Sequence, residues 1–252
     1  MPDTPEYSIV IPCFNERQRL PGTLDSIKAY LAERGVQAEV IVADNGSTDG
    51  TGDWARGQAK AMPYLRVIDC RTNQGKGFAV REGMLAASGR YRIFMDADSA
   101  TPIEEADRFW ALMKEGRADV VIGSRKIGGA KIEAAQSGAR RMAGDLFGLC
   151  SRLLVLTGIA DTQCGFKAVT AVAAEQVFRP MTGFTAIFDV EMLVLAVKSG
   201  LRVAEVPVRW THDEDSRITY NFARTLRIFM ELLAIKWRQR LLLPARIRPI
   251  QL

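Results

Sequence analysis

The chain has 252 residues, 48% of them apolar, with 34 Lys and Arg against 29 Asp and Glu, a net charge of +5. This is an ordinary composition for a globular protein with a sizeable core, and the positive balance suits an anionic partner or surface. A zinc or disulfide framework is excluded: Cys13, Cys70, Cys150 and Cys164 lack metal-type spacing and suit reduced thiols in a cytosolic protein.

In chain order, YSIVIP (7–12) is a short apolar run, and Leu20, Leu24, Ile27 and Leu31 recur at helical spacing over 20–34. AEVIVA (38–43) is a second strand, stopped by DNGSTDG, in which Thr48 and Asp49 are expected to cap the next helix. LRVIDC (65–70) and YRIFM (91–95) are further strands around the loop NQGKG and a helix over 77–88. A helix over 103–115 and the strand ADVVIG (118–123) follow. Fully apolar strands alternating with helices predict a mostly parallel sheet covered on both faces. Ligands of such sheets bind beyond the carboxyl ends of the strands. Asn15, Glu16, Asp44, Asp96 and Asp98 all fall there.

Beyond Gly123 the pattern changes. GSRKIGGAKIEAAQSGARR reads as a basic, glycine-rich loop entering an apolar helix over 140–157. DTQCGFKAV (161–169) runs from polar to apolar, 187–198 is helical, and LRVAEVPVRW (201–210) alternates like a strand. The last helix carries Phe222, Leu226, Phe229, Leu233 and Trp237 along one stripe, amid clustered arginines. The opening MPDTPEYSIV is not a signal peptide by its pattern, and no uncharged run reaches the ~18–20 residues of a spanning helix. No nucleic-acid motif stands out.

The chemistry concentrates in DADSA, where Asp96 and Asp98 sit two apart after an apolar strand. Such a pair can address one hard divalent cation, Mg²⁺ or Mn²⁺, with a diphosphate and water completing the shell. The plain alternative is a helix cap by Asp98 or Ser99 ahead of Pro102. Asn15 and Glu16 can hydrogen-bond a base or ribose, Asp44 a nucleoside, and Lys76 between glycines a phosphate.

In this order, these stretches resemble glycosyltransferase family 2, whose nucleotide-binding half adopts the GT-A fold. GSR (123–125), ADTQCGFKAVT (160–170), FDVEML (188–193) and EVPVRW (205–210) narrow the likeness to dolichyl-phosphate and polyprenyl-phosphate β-glucosyltransferases. The resemblance implies a GT-A catalytic domain over 1–216, with a nucleotide-sugar half (1–123) and an acceptor half (124–216), and a basic amphipathic extension over 217–252. It implies nucleotide contacts from Pro12, Asn15, Glu16, Asp44, Lys76 and Asp96, and metal ligation by Asp98 with Asp96. Arg125, Arg140, Lys167 and Arg217 would meet the acceptor phosphate, with Arg125 and Lys167 joining Asp96 and Asp98 as the catalytic set. Asp161 and Asp189 would orient sugar hydroxyls or brace Lys167 and Arg125.

The activity implied is inverting transfer of a hexose, glucose from UDP-glucose, to a lipid phosphate. Mannose-transferring relatives often read DADLQ; Ala100 here favours UDP-glucose over GDP-mannose. The alternatives are a GDP-mannose enzyme, transfer to a non-phosphate lipid, a D-x-D phosphatase and a non-catalytic nucleotide-sugar-binding protein. Many relatives carry spanning helices; here helices 140–157 and 222–243 are expected to lie against an anionic membrane on its cytoplasmic face. The bland reading of the same helices is core and homodimer surface.

Overall fold

The computed structural model describes residues 4–132, 147–185, 187–211, 222–247 and 249–250. A seven-stranded sheet runs in the order β3-β2-β1-β4-β8-β5-β9. Its strands are β1 (Tyr7–Cys13), β2 (Ala38–Asp44), β3 (Leu65–Asp69), β4 (Tyr91–Phe94), β5 (Val120–Ser124), β8 (Lys167–Thr170) and β9 (Val203–Pro207). Every pairing is parallel except those of β8, which lies antiparallel between β4 and β5. The β8 strand was not expected; DTQCGFKAV gives only four ladder residues, one of them a lysine.

Both faces are covered, as fully apolar strands require. Helices α1 (Leu20–Arg34) and α4 (Ala106–Lys114) bury Leu24, Ile27, Phe109 and Trp110 on one face. Helices α3 (Lys76–Ala86), α6 (Ala171–Phe178) and α7 (Phe188–Lys198) fill the other with Val80, Val177 and Val194. Helix α2 (Thr51–Gln58) packs beside β3. Helix α5 is described over 147–154 and ends before the expected 157, because β7 (Leu156–Thr157) leaves the helix to pair with β11 (Ala245–Arg246); residues 140–146 lie outside the described residues. The expected strand over 201–210 divides at Val208 into β9 and β10 (Arg209–Trp210), and β10 pairs with β6 (Lys131–Ile132).

Helix α8 (Phe222–Arg238) was expected in an extension, and its inner face closes the second core. Leu232 and Ile235 are fully buried there, and Ile247 joins them further on. Glu191 of α7, 0% exposed, accepts from Gly183 N at 2.7 Å, Arg238 Nη2 at 3.2 Å and Gln239 Nε2 at 3.0 Å. The opposite face of α8 stays open: Leu226, Phe229, Met230 and Trp237 are exposed, Trp237 by 82%. Among the described residues no helix is long and apolar enough to cross a membrane.

Candidate active site

Strand β1 has β2 on one side and β4 on the other, so the chain leaves it in opposite directions and opens a crevice at their carboxyl ends. The loop after β1 is fastened to the loop after β2. Asn15 N donates to Ser47 Oγ at 2.9 Å, Thr48 N to Asn15 Oδ1 at 2.8 Å, and Glu16 N to Thr51 Oγ1 at 3.0 Å. Asn15 adopts φ 58°, a left-handed conformation that asparagine tolerates better than most residues. Pro12 is buried in β1 opposite Ala43. Asp44, 5% exposed, accepts from Ser47 N at 3.0 Å. The expected helix cap is corrected: Gly50 is the N-cap of α2, and Asp49 instead bridges Arg17 N (3.1 Å) and Thr51 N (3.0 Å).

Asn45 was not singled out from the sequence. Its Nδ2 donates to Asn73 Oδ1 at 2.9 Å and Gly75 O at 3.1 Å, tying the β2 loop to the loop that carries Lys76. The only signal was its place beside Asp44. The glycines around Lys76 have a steric cause. A Cβ at Gly75, where φ is +102°, would lie 2.1 Å from Phe184 O, and one at Gly77 would lie 2.6 Å from Phe188 Cβ. The lysine loop therefore seats directly on the α6–α7 connection, and Gly77 N donates to Phe184 O at 3.1 Å.

Lys76 Nζ pairs with Asp96 Oδ1, so the cation beside the first aspartate of DADSA is this lysine. Burial pulls its pKa down, but Asp96 and then Asp189 outweigh it, and the net shift is upward; the ammonium stays charged. Asp98 Oδ1 accepts from Ala100 N at 3.0 Å, and the following 3₁₀ turn is capped at Pro102 without a side-chain bond. Neither Asp98 nor Ser99 is a helix cap. Ser99, at φ 51°, donates to Thr23 Oγ1 at 2.9 Å, and Thr23 Oγ1 donates to Ala97 O at 2.7 Å, which fixes the acidic turn to α1.

The glycine of CGF has the same kind of cause. A Cβ at Gly165 would lie 2.1 Å from Asp96 Oδ2. Gly165→Ala should displace the Asp96 carboxylate and lower turnover by about tenfold or more, the scale of a positioning error near 1 Å. Steady-state kinetics beside a melting curve checks this; unchanged turnover would mean that the contact does not hold Asp96 in its working position.

Arg125, at the end of β5, grips Asp161 through Nε at 2.7 Å and Nη2 at 2.9 Å, with its own backbone N at 3.0 Å from the same carboxylate. Asp161 is 2% exposed and is held in turn by Glu205, which accepts from Asp161 N at 2.9 Å. Burial pushes the Asp161 carboxyl up, the Arg125 hydrogen bonds and charge push it further down, and it lies below the ordinary aspartate value. Among the described residues Arg125 Nη1 has no hydrogen-bond partner, and the guanidinium lies 5.3 Å from the Trp210 ring centroid.

Lys167 corrects an expectation. It lies mid-sheet between Phe94 and Ile122, is 0% exposed, and bonds Asp189 and Cys164 O. A side chain so enclosed cannot touch an acceptor; Asp189 braces it, as Asp161 braces Arg125. Burial raises the Asp189 carboxyl, and the two lysines Lys167 and Lys76 only partly offset it. Arg140 and Arg217 lie outside the described residues.

Among the described residues no three His, Cys, Asp or Glu side chains gather as a metal cage. The donor set is two carboxylates, Asp96 and Asp98. Mg²⁺ needs no more from protein when phosphate oxygens and water complete its octahedron, and Mn²⁺ favours the same hard oxygen donors, so the residues fit such an ion.

Residues 8–167 match glycosyl transferase family 2. The chain belongs to this family. Among its family 2 relatives, the dolichyl-phosphate beta-glucosyltransferase of Drosophila melanogaster is 38% identical over 226 residues, 85% of this chain and 69% of that one. That of Dictyostelium discoideum is 31% identical over 92% of this chain and 74% of its own, and that of Homo sapiens 32% over 93% and 76%. Glucosyl-3-phosphoglycerate synthase from Mycobacterium tuberculosis, solved with Mn²⁺, UDP and glucosyl-3-phosphoglycerate, superposes with a TM-score of 0.63 at 19% identity, over 93% of this chain and 80% of that one. TarS of S. aureus gives 0.57 at 16% identity, over 92% and 72%. The family 2 chain is thus a glycosyltransferase with a GT-A fold.

Proposed function

We propose that the enzyme transfers glucose from UDP-glucose to a dolichyl or other polyprenyl phosphate, with inversion at the anomeric carbon. What carries this is identity of 31–38% to dolichyl-phosphate beta-glucosyltransferases across 85–93% of the chain. The GDP-mannose, non-phosphate-lipid, phosphatase and non-catalytic readings are not favoured by these relatives.

An ionised phosphate oxygen of the acceptor forms the new bond to C1 of glucose, while the C1–oxygen bond to UDP breaks and its electron pair leaves with UDP. The acceptor is already anionic near neutral pH, so the protein needs no general base. Its work is positioning and stabilising charge on the leaving diphosphate. Lys76, half exposed and charged, is placed to exchange Asp96 for a diphosphate oxygen. Asp98 with Asp96 would hold Mg²⁺ or Mn²⁺, which when bound offsets diphosphate charge. Pro12, Asn15, Glu16 and Asp44 line the nucleoside end of the crevice. Arg125, pinned through Nε and Nη2, keeps Nη1 for the acceptor phosphate. Arg140 and Arg217 complete the acceptor set in this reading, and Lys167 leaves it. The test is a donor screen with purified protein, either metal and polyprenyl phosphate, followed by mass spectrometry of the lipid. No glycosylated lipid from any nucleotide sugar would overturn the proposal.

The same proposal places the open face of α8 on an anionic membrane at its cytoplasmic side. Leu226, Phe229 and Trp237 face outward, with Leu242 94% exposed just beyond the helix. Arg227 and Arg240 are exposed beside them, while Arg238 is partly engaged by Glu191. Each basic residue near the surface adds about 1 kcal/mol, and salt weakens the attraction. Flotation should show binding to anionic vesicles that falls at high salt, and Trp237→Glu with Leu242→Glu should abolish most of it. Equal binding to neutral vesicles would remove the electrostatic part; a concentration-dependent dimer instead of vesicle binding would assign the face to a second copy.

A further inference from the structure

We propose that Trp210 is a positioning and specificity residue, closing a notch beside Asp96 that takes one hydroxyl of the donor's hexose. The inference rests on the donor reading above. The notch is lined by Asp96, Ala100, Thr101, Gly165, Phe166 and Trp210. Its interior measures about 10 Å³, room for one oxygen-sized group. Two of its walls, Ala100 and Gly165, are the smallest side chains available, and one, Asp96, is a charged acceptor for a hydroxyl proton. The apolar wall is the half-buried Trp210; Phe166, fully buried with its ring packed against Phe109, backs the notch from the core. This mixture of one carboxylate and flat apolar surface suits a sugar, which presents C–H faces between hydroxyls.

The indole is held in place from both flanks. Thr211 N donates to Ala100 O at 2.9 Å, so the chain just past Trp210 is joined to the acidic turn itself. Arg209 Nε donates to Glu105 Oε1 at 2.6 Å on the other flank. Arg125 lies over the indole ring at 5.3 Å, a cation–π distance. One side chain therefore borders the aspartate that serves the donor and supports the arginine that serves the acceptor. A hexose lodged by one hydroxyl in the notch has its anomeric carbon fixed relative to both.

Trp210→Leu should raise KM for UDP-glucose about tenfold, the scale of one lost aromatic contact, with kcat falling less. The inhibition constant of UDP, which has no hexose, should stay within about twofold, and the preference for UDP-glucose over UDP-galactose should shrink about tenfold. Trp210→Phe keeps a flat ring and should recover most of the loss. Ala100→Val fills the notch from the opposite wall and should raise the same KM; melting temperatures confirm that each variant is folded. Folded variants with an unchanged KM and donor preference would overturn the inference, and so would equal losses for UDP and UDP-glucose. Wild-type turnover alone tests the donor reading. If the wild type uses GDP-mannose instead, that reading fails, and the same comparisons with GDP-mannose, GDP and GDP-glucose decide the role of Trp210.

Discussion

Replacing Asp98 with alanine should abolish hexose transfer while leaving the fold intact. The side chain accepts from Ala100 N at 3.0 Å, a half-buried turn contact worth about 1 kcal/mol to stability. Its expected chemical role is far larger. On the proposed reading, the site without its second carboxylate would lack a second anchor for a divalent ion, and the departing diphosphate would lose the charge that offsets it. A loss of about a thousandfold in kcat corresponds to about 4 kcal/mol of transition-state stabilisation. Asp98→Asn separates the two roles, because the amide oxygen can still accept from Ala100 N but carries no charge. Both variants should therefore be inactive, with melting temperatures near the wild type and much weaker Mn²⁺ binding by calorimetry. A folded Asp98→Ala enzyme with near-normal turnover would remove Asp98 from the site.

The acidic turn was legible in the sequence because it follows one of the strands whose type cannot be mistaken. YRIF, like AEVIVA and VVIG, is apolar at almost every position, and only a strand covered on both faces tolerates that. Once the strands are placed, parallel topology sends Asp44 and Asp96 to the same edge without further information. The second half was less legible for a physical reason. Strand β8 reverses direction inside a parallel sheet and contains Lys167, and a lysine in a central ladder position is read as surface unless its partner is known. That partner, Asp189, lies 22 residues away. Lys167 became a candidate for the acceptor through the resemblance, and nothing in the local pattern opposed it. Burial of a cation depends on a long-range carboxylate, and local pattern carries no trace of one.

Glycines show a similar limit. The loop NQGKG and the stretch ADTQCGFKAVT stand out by pattern, but the reasons for Gly75, Gly77 and Gly165 are contacts with Phe184, Phe188 and Asp96 from distant segments. Helix α8 presents the converse case. Its period was plain, yet it is apolar on two faces. The stripe through Leu226, Phe229 and Trp237 is open, while Leu232 and Ile235 turn into the core. Periodicity finds a helix; it does not choose between two apolar sides. Asn45 escaped notice because asparagine in a turn is ordinary, and its bonds to Asn73 and Gly75 appear only when the loops meet.

Asp161→Ala should cost about 3–5 kcal/mol of stability as well as activity, because it strands a guanidinium that is only 20% exposed. Arg125 keeps its charge at every working pH, so nothing but a new partner or unfolding relieves it. The pH dependence follows from the direction of the Asp161 shift. Its folded pKa is depressed, so the stability it contributes is present above the unfolded value of about 3.9 and is lost as pH falls through the folded value. The gap between wild type and Asp161→Ala should thus be constant from about pH 5 to 8 and close only below about pH 4. Thermal unfolding across that range measures it; a gap that widened toward acid would contradict the pairing. The double variant Asp161→Leu with Arg125→Met replaces a buried ion pair by apolar groups of similar size, an exchange that is often neutral for stability. It should regain most of the lost stability and none of the lost transfer. Stability should follow the completeness of the pair, whereas on the proposed reading transfer should follow the one guanidinium nitrogen the pair leaves open, and a double variant that turned over normally would show that Arg125 only holds the fold.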